Sequence, residues 1–189
     1  LGQIYAIGSA IRAAAPGGNV LIFGIGHDSE LWNNINHDGN TLFLESDPVW
    51  VEKARTQTSH LKIEKVSYGD RTVANSLPIN VEELNAHPVP ACMQDVRWDV
   101  IIIDAPMGYK SSVPGRSLPI YWSSRVARAE TQIFLDDYHR KLEKTYGDHF
   151  FRSRRPWSVV VPRIIDAGRP TETSLLWVFG IESAAQEAA

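Results

Sequence analysis

The sequence predicts an α/β protein with a mostly parallel sheet and a carboxyl-terminal antiparallel hairpin. Short apolar runs of strand length alternate with stretches whose apolar residues recur at helical spacing. The runs are apolar throughout, which is typical of parallel strands covered by helices on both faces. The last two runs, Trp157 to Val161 and Ser174 to Ile181, are joined by residues without helical periodicity, so they are predicted to pair in antiparallel fashion.

The first half of the chain is predicted to alternate helices with three strands. Apolar residues recur at helical spacing from Gln3 to Ala15, and a Pro-Gly-Gly sequence ends that helix. Pro48 suits the first position of a helix of about ten residues after the second strand. The predicted strands are Asn19 to Phe23, Thr41 to Leu44 and Leu61 to Val66, and the helix after the first strand starts at Asp28 or Ser29 and ends near Asn36.

In the second half, the periodic pattern weakens between Gly69 and Val96, where prolines interrupt it. We interpret this stretch as a short helix plus a long surface excursion. Regular alternation then resumes. The predicted strands are Trp98 to Ile103 and Thr131 to Leu135, and the predicted helices are Ile120 to Ala129 and Tyr138 to Tyr146.

Length and composition predict one domain over residues 1–189. The chain is 43% hydrophobic and 22% charged, which is enough apolar material for a single core. A formal net charge of -3 provides no basic field, so neither nucleic acid nor a membrane surface is expected as a partner. Cys92 is the single cysteine, which excludes an internal disulfide and a metal site built from several cysteines.

Two glycines and an acid at the ends of predicted strands indicate a nucleoside-containing cofactor. Gly24 and Gly26 follow the first strand, where glycines let a ligand approach the backbone and the next helix. Glu45 ends the second strand, where a carboxylate can accept hydrogen bonds from ribose hydroxyls. The alternatives are a tight turn without a ligand and, for Glu45, a solvated carboxylate or a helix cap, although Asp47 is the better cap candidate.

The glycine pattern and the hairpin distinguish between two kinds of cofactor-binding sheet. Ser29 stands where the dinucleotide pattern GxGxxG has its third glycine, and NAD-binding domains lack the terminal hairpin. The missing third glycine and the terminal hairpin therefore favour a Rossmann-like class I methyltransferase, which has a seven-stranded sheet and S-adenosylmethionine as its cofactor. Tyr68 or Asp70 is expected near the adenine of this cofactor. The predicted cofactor-binding residues are Gly24, Gly26, His27, Asp28, Glu45, Ser46, Tyr68, Asp70 and Asp104.

Three acids follow the fourth and fifth predicted strands, which are neighbours in the proposed sheet. Asp104 ends one strand, and Asp136 and Asp137 end the other. Carboxylates that converge repel one another unless they are protonated or bridged by a cation. We therefore predict either a general base with a raised pKa or a divalent metal ion bound by Asp104, Asp136 and Asp137. The alternative is that Asp136 or Asp137 caps the next helix.

The acceptor is expected to enter over the loop from Ala105 to Arg116. Asp104 and Asp137 are the predicted catalytic residues, which would orient or deprotonate an acceptor hydroxyl. Arg116 or Arg128 would hold an acceptor carboxylate, and Tyr109 completes the predicted substrate-binding set. For any one arginine, a solvated surface position is the commoner alternative.

A series of motifs between Asn19 and Arg140 is specific enough to indicate a family. In chain order they are GHDSELW from Gly26, FLESD from Phe43, WDVIIIDAPMGY from Trp98, PGR from Pro114 and FLDD from Phe134. This series resembles the glucuronoxylan 4-O-methyltransferase family, a plant family also named for polysaccharide biosynthesis. Compared with the plant members, the chain has fewer cysteines between the third and fourth strands and has Asp136 in place of a histidine.

The resemblance implies an S-adenosylmethionine-dependent O-methyltransferase that acts on a hydroxyl of a uronic-acid-containing polysaccharide or a related acceptor. A small molecule with a hydroxyl or carboxyl group is the alternative acceptor. The resemblance also implies the Golgi lumen if an anchor precedes Leu1, and the cytoplasm otherwise. Two other classes of function stay open on the sequence: an NAD-dependent or nucleotide-sugar oxidoreductase, and a noncatalytic binding module that keeps the fold.

Overall fold

A computed structural model describes residues 2–154, 156–166 and 169–179, with side chains at 2–154 and 177–179. The helices are α1 (Gly2–Ala14), α2 (Ser29–Ile35), α3 (Pro48–Gln57), α4 (Val81–Asn85), α5 (Ser117–Val126) and α6 (Lys141–Phe150). The strands are β1 (Asn19–Phe23), β2 (Asn40–Glu45), β3 (Lys62–Lys65), β4 (Val100–Ile103), β5 (Gln132–Leu135), β6 (Pro156–Asp166) and β7 (Arg169–Phe179). Within these residues, no helix is both long and apolar enough to cross a membrane.

The strands form one sheet in the order β3-β2-β1-β4-β5-β7-β6. The first five strands of the chain pair in parallel, whereas β7 is antiparallel to both β5 and β6. The predicted α/β class, the mostly parallel sheet and the carboxyl-terminal antiparallel pair are therefore confirmed. The predicted end of the last strand, Ile181, lies outside the described residues. The strand order reverses between β1 and β4, which is where such sheets open a binding crevice.

The central parallel strands β1, β4 and β5 are mostly apolar because both faces of the sheet are covered there, whereas the edge strand β3 is polar and exposed. In β1, Val20 and Ile22 pack in the core cluster that contains residues of α1 and α2. Leu21 and Phe23 point to the opposite face, where residues of α5 and α6 form the larger cluster. Since successive side chains of a strand point to opposite faces, a buried parallel strand shows no alternation in its sequence.

The excursion predicted on the surface between Gly69 and Val96 instead covers one face of the sheet, which corrects that part of the prediction. Its short helix is present as α4, but Leu84 and Met93 are fully buried in the larger core cluster. The Tyr146 hydroxyl donates to the Ser76 carbonyl oxygen at 2.7 Å and so ties the excursion to α6. Prolines prevented a long helix here, but they did not keep the apolar side chains between them in water.

The start of the helix that follows the acids also differs from the prediction. The predicted helix from Tyr138 begins only at Lys141, because residues 136–140 form a turn in which Asp137 has a φ of 55°. Neither Asp136 nor Asp137 is the N-cap of α6, a position that Arg140 occupies. The alternative role of these acids as helix caps is therefore wrong, and both remain beside the carboxyl end of β5.

We predict that Tyr146→Phe lowers the free energy of unfolding by about 1–3 kcal/mol, because the buried Ser76 carbonyl oxygen loses its donor. Urea unfolding followed by circular dichroism measures the change. Tyr5→Phe is the matched control, since Tyr5 is exposed on α1, and its effect should stay within about 0.5 kcal/mol. Equal losses in the two variants would show that the hydrogen bond does not anchor the excursion.

Candidate functional site

A cavity of about 830 Å³ opens at the carboxyl edge of the sheet, at the point where the strand order reverses between β1 and β4. Its volume falls within the range of about 300–1,000 Å³ that is usual for small-molecule sites. The segments after β1, β2, β4 and β5 line it, and α1 contributes one wall. The acids that the sequence places at strand ends therefore all line the same cavity; they are Glu45, Asp104, Asp136 and Asp137.

Gly24 begins the turn that forms the inner wall of this cavity. Its φ of +107° is one that side-chain-bearing residues rarely adopt, and a Cβ there would lie 2.7 Å from the Cβ of Ala105. The Gly24 amide also donates to the Leu44 carbonyl oxygen at 2.8 Å. Only glycine lets the turn after β1 pass this close to the residue that follows β4.

Glu45 organises the loops on both sides of the cavity floor. Its Oε1 accepts hydrogen bonds from the amides of Ser46 at 2.6 Å and Asp47 at 2.8 Å, and its Oε2 accepts one from the Ile25 amide at 3.1 Å. Asp47 instead caps α3 by accepting from the Val49 amide at 2.8 Å. Glu45 is therefore neither a solvated carboxylate nor a cap, and its Oε2 keeps one further acceptor position.

A buried arginine lies among the three acids at the ends of β4 and β5. Arg116 is only 3% exposed, and its Nη2 lies 2.9 Å from Asp137 Oδ2 and 3.2 Å from Asp104 Oδ1. It also donates to two backbone carbonyl oxygens, of Asp136 at 2.5 Å and of Asp104 at 2.6 Å. Burial alone would lower the pKa of Arg116, but Asp104, Asp137 and Asp136 outweigh it and raise that pKa.

This arrangement does not support the predicted metal site. The sequence predicted either a general base with a raised pKa or a divalent metal ion among Asp104, Asp136 and Asp137, and the cation that lies among them is the guanidinium of Arg116. Among the described residues, no group of three histidine, cysteine or acidic side chains is arranged to hold a metal ion. The predicted repulsion is thus relieved by a residue of the chain itself.

Asp104 is the acid of this cluster that is most open to the cavity, with 54% of its side chain exposed. Its pKa is raised to about 8: loss of hydration is the main cause, the hydrogen-bonded carboxyl group of Asp136 adds to it, and Arg116 acts against it. Water in the open cavity offsets part of this shift, which becomes fully effective when ligands cover the carboxyl group. Asp104 is therefore accessible from the cavity and also binds a proton more tightly than an ordinary aspartate does.

Asp137 has a different environment. It is buried, and its Oδ2 contacts both Arg116 at 2.9 Å and Arg140 at 2.7 Å. Its backbone is in the left-handed region, with a φ of 55°. Because two guanidinium groups contact its Oδ2, Asp137 holds both arginines in place, and its side chain also lines the cavity.

The structure brings most of the predicted site residues to the cavity. Those that line it are Gly24, Gly26, Asp28, Glu45, Ser46, Asp104, Tyr109, Arg116, Asp136 and Asp137. His27 is exposed beside the cavity, with its ring edge-on to Trp50 at a centroid distance of 6.3 Å.

Three other predicted site residues do not line the cavity. Tyr68 is buried against Trp122, with ring centroids 5.6 Å apart, and burial raises its pKa. Asp70 belongs to the loop after β3, outside the cavity wall. Arg128 lies at the opposite, amino-terminal edge of the sheet, where its Nη2 is 3.7 Å from Asp99 Oδ1.

Sequence reasoning missed three parts of the cavity wall. Arg140 lies beside the acids, Trp50 lies beyond Glu45, and α1 contributes Ile4 and Ile7. A cation three residues after the end of the FLDD motif, and a tryptophan soon after the FLESD motif, were signals that could have identified Arg140 and Trp50. No local pattern indicates that an amino-terminal helix lies beside the strand ends.

Comparison with known proteins identifies the family. The sequence model of the IRX15/IRX15L/GXM family matches residues 2–78 and 71–156. The chain belongs to this family. Glucuronoxylan 4-O-methyltransferase 2 of Arabidopsis thaliana is 32% identical over 153 residues, which cover 70% of this chain and 53% of that protein. Arabinogalactan O-methyltransferase 1 of the same plant is 30% identical over 204 residues, which cover 94% and 65%.

The chain thus spans about half the length of the glucuronoxylan relative. Among solved structures, human methyltransferase-like protein 13 in complex with SAH matches with a TM-score of 0.56 and 14% identity, over 97% of this chain and 84% of that one. A TehB-like SAM-dependent methyltransferase from Corynebacterium glutamicum matches with a TM-score of 0.53 and 13% identity, over 95% and 93%. These likenesses confirm the Rossmann-like methyltransferase fold.

We predict that Gly24→Ala lowers the free energy of unfolding by about 1–3 kcal/mol from backbone strain, and by more from the overlap with Ala105. Because the turn must move, calorimetry should also show S-adenosylhomocysteine binding weakened by at least about tenfold. The control is Gly17→Ala, where φ is +81° but no atom lies within 4 Å of the new Cβ. If both variants bind the nucleoside as the wild type does, the turn is not part of its site.

Proposed function

We propose that the chain is an S-adenosylmethionine-dependent O-methyltransferase whose acceptor is a hydroxyl of a uronic-acid-containing carbohydrate. The observation that carries this proposal is the single cavity in which the Gly24 turn and Glu45 face Asp104. The names of the family relatives, which include glucuronoxylan and arabinogalactan O-methyltransferases, support the reaction and the acceptor class. The fold of the structural neighbours is consistent with both.

The charge of the cavity suits a cationic methyl donor. Its described lining contains six acids (Asp28, Glu45, Asp47, Asp104, Asp136 and Asp137) and two arginines (Arg116 and Arg140). When bound, S-adenosylmethionine supplies an electrophilic methyl group on a positively charged sulfur. An excess of carboxylates favours this cation over the neutral product of the transfer, which helps turnover.

The residues present also fit the nucleoside and amino acid parts of the donor. The turn from Gly24 to Gly26 presents backbone without side chains, and the remaining acceptor position of Glu45 Oε2 suits a ribose hydroxyl. The Trp50 side chain, partly exposed on the wall beyond Glu45, offers a flat apolar surface for a base. Trp50 thus takes the place that the sequence assigned to Tyr68 or Asp70.

Asp104 is the proposed general base. Methyl transfer to an alcohol requires the acceptor oxygen to be aligned with the methyl group and to lose its proton. The Asp104 carboxylate is exposed to the cavity, and its raised pKa makes it a stronger proton acceptor than an ordinary aspartate. Asp136, hydrogen-bonded to it, can share the proton that Asp104 takes up.

The acceptor is proposed to lie against the Ala105–Arg116 loop. Met107 and Tyr109 project from this loop into the cavity mouth, and Tyr109 is 59% exposed. An aromatic face and a thioether provide the apolar surface against which the C–H face of a sugar ring can pack. The sugar hydroxyls would then point towards Asp104 at the base of the loop.

The test is label transfer from methyl-labelled S-adenosylmethionine. We expect label in glucuronic-acid-bearing xylo-oligosaccharides or arabinogalactan oligosaccharides, and little or none in a panel of small phenols and carboxylic acids. The transfer should persist in the presence of a chelator, since Arg116 already bridges the acids. Label only in the small molecules would overturn the carbohydrate acceptor, and no label in any acceptor would overturn the activity.

In the same assay, Asp104→Asn should lower the transfer rate by at least about 100-fold, the usual contribution of a general base. Because only the ionised carboxylate accepts a proton, the wild-type rate should rise with pH towards the raised pKa of about 8, and the variant should lose this rise. Asp99→Asn is the control, because Asp99 is partly exposed at the opposite sheet edge. A variant at Asp104 with wild-type rate and pH profile would exclude it as the base.

A further inference from the structure

The cavity presents an electrostatic problem for an acidic acceptor. Six acids, among them Asp104 with its pKa raised to about 8, outnumber two arginines in the described lining, so an incoming uronate would be repelled unless a cation bound it. Arg116 is poorly placed for this role because it is 3% exposed and its Nη atoms contact the acids and carbonyl oxygens around it. Arg140 is the other arginine of this lining, and 23% of its side chain is exposed.

The guanidinium of Arg140 is only partly engaged. Its Nη1 lies 2.7 Å from Asp137 Oδ2, which fixes one side of the planar group. Glu143 also interacts with Arg140 electrostatically, and 23% of the Arg140 side chain is exposed. A guanidinium has five N–H donors and binds carboxylates through two parallel bonds, so the remaining edge can receive a second carboxylate.

Arg140 also lies in the right place for an acceptor group. A Cβ on Gly108 would be 3.4 Å from Arg140 Nη1 and 2.5 Å from Glu143 Oε1, so the guanidinium lies directly beneath the Ala105–Arg116 loop. The neighbouring Met107 and Tyr109 line the cavity above it. The close approach of the loop at Gly108 is to the Glu143 carboxylate, whereas its distance to the arginine is close to that of an ordinary contact.

We propose that Arg140 binds the carboxylate of the acidic acceptor and thereby selects uronic acids over neutral sugars. This inference rests on the proposed function, since it specifies the part of the acceptor that the cavity recognises. Asp137 then has the role of holding Arg140 in position, through the ion pair between them. The arginine proposed to bind the acceptor carboxylate is thus neither Arg116 nor Arg128, the two that the sequence indicated.

The test compares two probes by calorimetry in the presence of saturating S-adenosylhomocysteine. One is a xylo-oligosaccharide that bears glucuronic acid, and the other is its carboxyl-reduced counterpart, which bears glucose. Wild-type protein should prefer the acid. In Arg140→Gln, binding of the acid should weaken by at least about tenfold, while binding of the reduced probe stays within about threefold. Retained binding of the reduced probe also shows that the variant is folded.

Arg128→Gln is the matched control, because Arg128 is 29% exposed and ion-paired but lies at the other edge of the sheet. It should bind both probes as the wild type does. If Arg140→Gln does not fold, the Nε resonance of Arg140 in wild-type protein provides the second measurement. It should shift on addition of the acidic probe and not on addition of the reduced one.

Several results would overturn the inference: equal binding of the two probes by wild-type protein, unchanged binding of the acid by a folded Arg140→Gln, an Arg140 resonance that does not respond, or binding of neither probe. Failure of the proposed function would give a different set of results from failure of this inference. In that case S-adenosylhomocysteine and the acidic probe bind, Arg140→Gln loses the acid, and yet no methyl label is transferred. Such a result would still support the binding of the acceptor carboxylate by Arg140.

Discussion

The buried guanidinium of Arg116 joins the carboxyl ends of β4 and β5, and the cavity depends on this contact. It donates to a backbone carbonyl oxygen after each strand and lies among the carboxylates of Asp104, Asp136 and Asp137. Without a cation there, three acids within one small volume would repel one another. Arg116 also immediately precedes α5, so the same contact fixes the end of the Ala105–Arg116 loop.

The same electrostatic centre divides the acids into different roles. Asp137 is buried and bound by two arginines, whereas Asp104 is open to the cavity and has a raised pKa. Their sequence contexts are similar, since each follows an apolar strand, but their distances from Arg116 and Arg140 and their exposure differ. The account therefore assigns proton transfer to Asp104, structural support to Asp137 and recognition of acceptor charge to Arg140.

The sequence was sufficient for the features that depend on local pattern. Apolar runs predicted the parallel strands, a connection without helical periodicity predicted the hairpin, and the acids at strand ends predicted a shared site, because parallel strands end at one edge. The pattern also predicted that these acids are either protonated or bridged by a cation. It could not identify that cation as Arg116, since the residue lies in a loop whose path is set by tertiary contacts.

The other differences have the same origin. Tyr68 has the chain position of a base-binding residue, but stacking on Trp122 buries it behind the cavity wall. Arg128 follows α5 and lies near Asp99 at the amino-terminal edge, because α5 runs back along the sheet. The excursion between Gly69 and Val96 has no periodic stripe, and its burial follows from separate apolar residues such as Leu84 and Met93 that reach the core one at a time.

The central claim is that Arg116, a residue of the chain, neutralises the acids that build the cavity. Urea unfolding of Arg116→Met tests it directly, with Arg128→Met as the comparison. Removing one partner from a buried charge cluster should lower the free energy of unfolding by about 3–5 kcal/mol, and the exposed pairs of Arg128 should contribute about 1 kcal/mol or less. A loss at Arg116 no larger than that at Arg128, or full recovery of the variant on addition of a divalent cation, would contradict the account.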